Sequence, residues 1–274
     1  SIGIPIFFFG DWQYGLITGA LLWTIGGTVF LIGFLPNFLL LYRKPEDIGL
    51  LPDGDKLKVD QQNTENKRIE PSFSRAEAMK TSAFWLLILF TALVFPIQAG
   101  ISLHQAPHLI ERGVSSASAT FIVSTFSLVS GASALLYGLA VRRFGARTNL
   151  FVSSVCLALG CILMTKIQSS SLGYAAAIFF GIGIGGILCV LPIIWADYYG
   201  RNHLGRIRGF AMSAQIGGQA VGPVLAGFMF DATGSYLMPL LVFAGVASSA
   251  GVIILFATPP RLVESKLDPI DPSS

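Results

Sequence analysis

The chain has 274 residues, 53% of them apolar and only 12% charged, about half the charge of an ordinary soluble domain. A mean hydropathy of +0.68 and a net charge of +3 point to a lipid-embedded chain. They point away from nucleic-acid binding, which concentrates basic residues on one face of a soluble domain. Cys156, Cys161 and Cys189 all sit in apolar runs with no His or Cys at ligand spacing, so they read as small buried hydrophobes, and no metal or cofactor is expected.

The opening Ile2–Phe9 is apolar but too short to span a bilayer, and it lacks the basic n-region and cleavage site of a signal peptide; it looks like the cut end of a helix. A bilayer core about 30 Å thick takes roughly 20 apolar residues of helix. The stretches that meet this run near Tyr14–Leu41, Ala83–Leu109, Ser116–Leu139, Asn149–Ile167, Leu172–Asp197, Ile207–Phe230 and Tyr236–Phe256. Backbone polar groups in lipid must be paired within a segment, so these runs are expected to be helices. None alternates apolar and polar residues along its length, which argues against a β-barrel. The expected fold is an all-α membrane bundle.

Tyr42–Ser82 is the one long polar segment. Pro45, Pro52, Pro71 and the Pro-Asp-Gly turn at Pro52–Gly54 mark it as a connector. Its last part, Ser74–Lys80, opens with a capping residue and predicts a short helix lying along the cytoplasmic face. Basic residues gather on one side of the spans: the connector, then Arg142, Arg143 and Arg147, then Arg201, Arg206 and Arg208, then Arg261 and Lys266. Only Arg112 and Lys166 fall on the other. The positive-inside rule makes the basic side, with the C-terminus, cytoplasmic.

Several residues within the spans are candidates for chemistry. Gln215 and Gln219, four apart, form a polar stripe that either faces a central cavity or bonds to a neighbouring helix. Gln98 follows Pro96, whose missing N–H is expected to kink the helix, as a gate or as a tolerated bend. Ser124, Ser127 and Ser130 either line a cavity or bond back to their own helix. His104 and His108 are four apart near the outer end of their span. A protonatable histidine there suits coupling to pH, and the alternative is a capping or packing role. Asp197, the one acid inside a span, is a candidate proton site or a structural partner for nearby arginines. Gly181 and Gly185 form a small-xxx-small pair for close helix approach, and Gly217, Gly218 and Gly222 suit tight packing beside the glutamines.

Arg43–Gly54, Ala83-Phe84-Trp85-Leu86, the set His104, Pro107, Leu109 and Gly113, the run Gly138 to Arg147, Arg206–Gly209, Gly222-Pro223 and Phe230–Gly234 occur in an order that resembles the major facilitator superfamily, in its monocarboxylate and oxalate:formate branch. The resemblance implies two six-helix halves joined by a long cytoplasmic loop. Residues 1–41 then hold the end of the fifth helix and the whole sixth, 42–82 the inter-half loop, 83–257 the C-terminal half and 258–274 a cytoplasmic tail. It implies secondary active transport of a small solute, an organic anion or monocarboxylate-like metabolite, by alternating access in the lipid bilayer. Protons are the candidate coupling ion, and a missing N-terminal half is the partner. Gly138, Arg142, Arg143, Gly145 and Arg147 correspond to the cytoplasmic gate motif. Arg142 stands where the family has an aspartate, and Ala134 stands where monocarboxylate-type members often carry an arginine. A seven-helix receptor or sensor and an inactive half-transporter fragment are the competing readings. An intramembrane enzyme ranks last, because no nucleophile–base pair is present.

Overall fold

A computed structural model describes residues 73–200 and 203–260, together with the helical Thr24, Gly27, Thr28, Phe30 and Leu31. Apart from those five residues, the expected span Tyr14–Leu41 lies outside the described residues. So do the connector before Phe73, Arg201 and the tail from Arg261. The chain divides into two compact units, Ser1–Arg68 and Ile69–Ser274, and the bundle is the second.

The helix expected at Ser74–Lys80 is α1, Arg75–Met79. Ser74 Oγ accepts from the Glu77 amide while a Glu77 carboxylate oxygen accepts from the Ser74 amide at 2.8 Å, a reciprocal cap that lets so short a helix start. It is tied down at both ends. The Phe73 amide donates to the Tyr199 carbonyl at 3.3 Å, the Thr81 and Tyr199 hydroxyls lie 2.7 Å apart, and Trp85 Nε1 donates to the Met79 carbonyl at 2.9 Å.

Six long helices follow: α2 Ser82–Glu111, α3 Ser116–Phe144, α4 Ala146–Thr165, α5 Ser170–Tyr199, α6 Leu204–Thr233 and α7 Leu237–Phe256. There is no strand among the described residues. α2, α3, α4, α5 and α7 are long and apolar enough to cross a membrane. α6 matches them in length, but its glycines, glutamines and two arginines dilute its hydropathy, so the span expected at Ile207–Phe230 is a helix without the apolarity of the others. α3 and α4 are joined by one residue, Gly145, at φ +75° and ψ 158°. That conformation is open essentially to glycine alone and explains the sharp reversal there.

Apart from α4 and α5, which pack closely, the main spatial neighbours are not consecutive in the chain. α5 packs on both α3 and α4, α2 packs on α6, and α7 bridges α4 and α2. The pairs α3/α5 and α2/α6 run parallel, and glycines allow their backbones to meet. A Cβ at Gly185 would strike Ser133 and the Ser130 carbonyl, and one at Gly181 would lie 2.9 Å from the Phe126 carbonyl. At Gly222 a Cβ would strike the Pro96 carbonyl, and at Gly218 it would lie 3.0 Å from the Pro96 ring. Close backbone approach is the packing device expected where lipid, as apolar as the side chains, gives no hydrophobic drive between helices.

The hairpins give the bundle two ends. At the end where α2 begins lie Arg75, Lys80, Arg142, Arg143, Arg147, Arg206 and Arg208. At the other lie Arg112 and Lys166. Aromatic rings fill the first end: Phe84 meets Trp195 and Tyr199 edge-on at 5.6 and 6.3 Å and stacks on Phe210 at 6.1 Å.

Candidate functional site

Gln98 and Gln219 meet across the α2/α6 interface, where Gln219 Nε2 donates to Gln98 Oε1 at 3.2 Å. Gln98 is about 24 Å and Gln219 about 22 Å from the start of its own helix, so the pair sits at mid-length in both. Pro96 and Pro223 flank it. Neither ring has an N–H, so the carbonyls of Ala92 and Gln219 lose their helical donors. The crossing therefore joins two amide side chains, with one freed carbonyl at Gln219 itself and another about 9 Å earlier along α2 at Ala92. The Gln98 amino group and the Gln219 side-chain oxygen lie outside the shared bond and remain available to a ligand. Gln215, half-buried one turn earlier on α6, has no hydrogen-bond partner among the described residues.

Ser124 and Ser127 take the second of their two expected roles. Both are exposed and bond back to the carbonyls of Thr120 and Val123, at 2.9 and 3.4 Å. Ser133, which the sequence reading passed over, is buried and reaches across to the Gly181 carbonyl at 3.3 Å, stitching α3 to α5. Its signal was its place one helical turn beyond Ser130, facing the glycine pair.

The histidines sit at the end of α2 away from the basic cluster. His104 Nε2 lies 3.2 Å from the Pro223 carbonyl, which can only accept, so that nitrogen carries the proton. In the neutral ring Nδ1 then accepts from the Tyr236 hydroxyl at 3.3 Å. The Tyr236 ring lies between the two histidines, 5.5 Å from His104 and 5.4 Å from His108. His108 donates from Nε2 to the Met164 carbonyl at 2.9 Å.

Asp197 is nowhere near them. It is exposed on the last turn of α5, at the basic end, and lines a cavity of about 230 Å³ with Phe144, Gly145, Arg147, Tyr198 and Pro259. The structure thus separates the two residues proposed for proton coupling by the length of the bundle. Arg142 and Arg143 are exposed at the end of α3, with the Arg143 guanidinium 5.7 Å from the Phe144 ring centre, and Gly138 has ordinary space beside Cys189.

Between the two ends of α2 to α7 there is no lysine or arginine. The mid-bundle site is therefore neutral, polar and built on helices crossing at a proline.

A family model for the Major Facilitator Superfamily matches residues 88–269 of the chain. The chain belongs to that superfamily. Monocarboxylate transporter 2 of Homo sapiens is 25% identical over 173 residues, 62% of this chain and 35% of the human protein, so the chain spans about a third of that relative's length. As a superfamily member it is an integral, multi-pass membrane protein of a transporter class, with its apolar helices in lipid. Membership decides between the transporter and the receptor, the latter having rested on a count of spans.

Proposed function

We propose that this superfamily member contributes one half of a secondary active transporter for a small organic anion, with the Gln98–Gln219 crossing as its share of the central site. The observation that carries this is the position of the crossing: two glutamines, two prolines and a glycine meet at the mid-length of parallel helices. Transporter sites lie near the bilayer midplane, where interrupted helices expose backbone groups to substrate.

α3 and α6 are each packed on one side only. Leu128 and Leu139 on α3, and Val224 and Phe228 on α6, stand 74%, 72%, 69% and 72% exposed. We read these faces, with Ser127, Gln215 and Gln219, as the ones that meet a second bundle and rock against it in alternating access. Such a bundle would comprise residues homologous to the uncovered part of the human relative. Gly138 through Arg147, with Asp197 beside Arg147, would form the gate at the basic end, taken as cytoplasmic by its charge. With Ala134 in place of an arginine and no cation at mid-bundle, the charge that balances an anion would come from the other half. The driving ion in this reading is the proton, accepted at the histidine end of α2.

The test is uptake of a panel of radiolabelled small carboxylates by proteoliposomes holding this chain joined to its N-terminal half. Uptake that follows an imposed pH gradient and is lost in Gln219→Leu supports the reading. A Gln219→Leu protein that transports as well as the parent removes the glutamines from the site.

A further inference from the structure

Gln105 is 2% exposed and His108 is 3% exposed. Both polar atoms of the Gln105 amide and Nδ1 of His108 have no hydrogen-bond partner. A buried polar group left unpaired costs roughly 1–3 kcal/mol, so three such atoms within one turn of α2 need a ligand. Gln105 and His108 both line one cavity of about 20 Å³, together with His104, Met164, Tyr236 and Phe243. That is room for one water, and the unpaired Gln105 amide and His108 Nδ1 are the polar groups for it to bridge.

We propose that a water molecule in this cavity, Gln105 and His108 form a proton-binding site at the end of α2. Its use in transport rests on the function proposed above; the site itself does not. Because Nε2–H of His108 is committed to Met164, the neutral ring presents Nδ1 as a lone pair. A proton arriving as hydronium adds to that lone pair and leaves water behind, and no other bond changes. The imidazolium must then donate from both nitrogens. Nε2 keeps the Met164 carbonyl, and Nδ1 needs an acceptor of its own.

Gln105 suits both states. Its amino group can donate toward the neutral nitrogen through the water, and its carbonyl oxygen can accept from the charged one. His104 is different, because Pro223 and Tyr236 already occupy both of its ring nitrogens. The charged groups that act on His108 are Glu111 on the last turn of α2 and Arg112 just beyond it, while Glu111 and Asp231 act on Tyr236. α4 presents only the Met164 carbonyl, with Lys166 exposed beyond it. α5 and α3 meet α2 at Leu109, through Gly173, next to Tyr174, and through Ile122.

The test is nuclear magnetic resonance of the full chain in lipid nanodiscs, with ¹⁵N-labelled histidine and glutamine. His104→Asn and His203→Asn assign the histidine signals. Expected are a cross-peak between bound water and the Gln105 side-chain amide, an Nε2–H tautomer of His108 near pH 8, and protonation of its Nδ1 on acidification. Gln105→Leu should weaken proton binding about tenfold, a shift of about one pH unit. The wild-type readouts stand alone should that variant fail to fold. A Gln105 amide without water contact, a His108 still neutral near pH 4, or a folded Gln105→Leu that titrates like the parent overturns the proposal. None of these signals depends on uptake, so failure of the site and failure of the transport reading are separable.

Discussion

Glycines do opposite jobs in this bundle depending on what a single carbon would meet. At Gly145 the backbone itself forbids the substitution, so Gly145→Ala should lose about 1–3 kcal/mol of stability. At Gly222 the obstacle is the Pro96 carbonyl, and Gly222→Ala should lose a similar amount, about 1–3 kcal/mol, by forcing α2 and α6 apart. Gly217 faces open space, and Gly217→Ala should be neutral or stabilise by about 0.5–1 kcal/mol. Thermal unfolding of the three variants in one detergent compares them directly, and a Gly217→Ala loss equal to that of Gly222→Ala would contradict the packing account. At this scale the sequence was partly legible. Gln98 and Gln219 stood out as polar groups in apolar runs, but that they bond to each other could not be read, since the two are far apart in the chain. Gln105 carries no spacing signal of its own beside the flanking histidines, although any glutamine in a span raises the same question of partners.

Within α2, Pro96 removes one backbone bond just before Gln98. Pro96→Ala should restore that bond and stiffen the helix; uptake should slow while stability is kept or raised, as measured by transport and unfolding on the same preparation. The Gln98–Gln219 bond is expected to add little to stability, since interhelical hydrogen bonds in membranes average about 0.6 kcal/mol and reach about 1.7. A double-mutant cycle with Gln98→Leu and Gln219→Leu should therefore give a coupling below about 2 kcal/mol, with uptake abolished in each single variant. A larger coupling with uptake intact would make the pair a strut. Element existence was readable because length and hydropathy decide it. Among the described spans α6 alone is less apolar than expected, its interior diluted by glycines and glutamines. Which helices pair was not readable: α3 meets α5 and α2 meets α6 across intervening hairpins, and those choices lie in glycine-to-backbone fits that no periodicity announces.

At the scale of the molecule, the charge pattern and the one-sided packing of α3 and α6 lead to a prediction about halves. Proteoliposomes carrying this chain by itself should show uptake at background level, and joining it to the remaining bundle of a transporter should restore it. Accessibility labelling of cysteines placed at Arg112 and Arg143 should find them on opposite membrane faces, and finding both on one face would remove the orientation with it. The superfamily resemblance was legible from ordered weak motifs, while the substrate was not, because the described helices hold no mid-bundle lysine or arginine to choose one.

The reciprocal cap and the paired hold of Phe73 and Thr81 on Tyr199 have a mechanical meaning. Tension arriving along the polypeptide from before Phe73 is delivered first to the foot of α5, and reaches α2 only after α1 has peeled from its anchor. A load entering this way can tug one helical post while leaving α2 beside it slack.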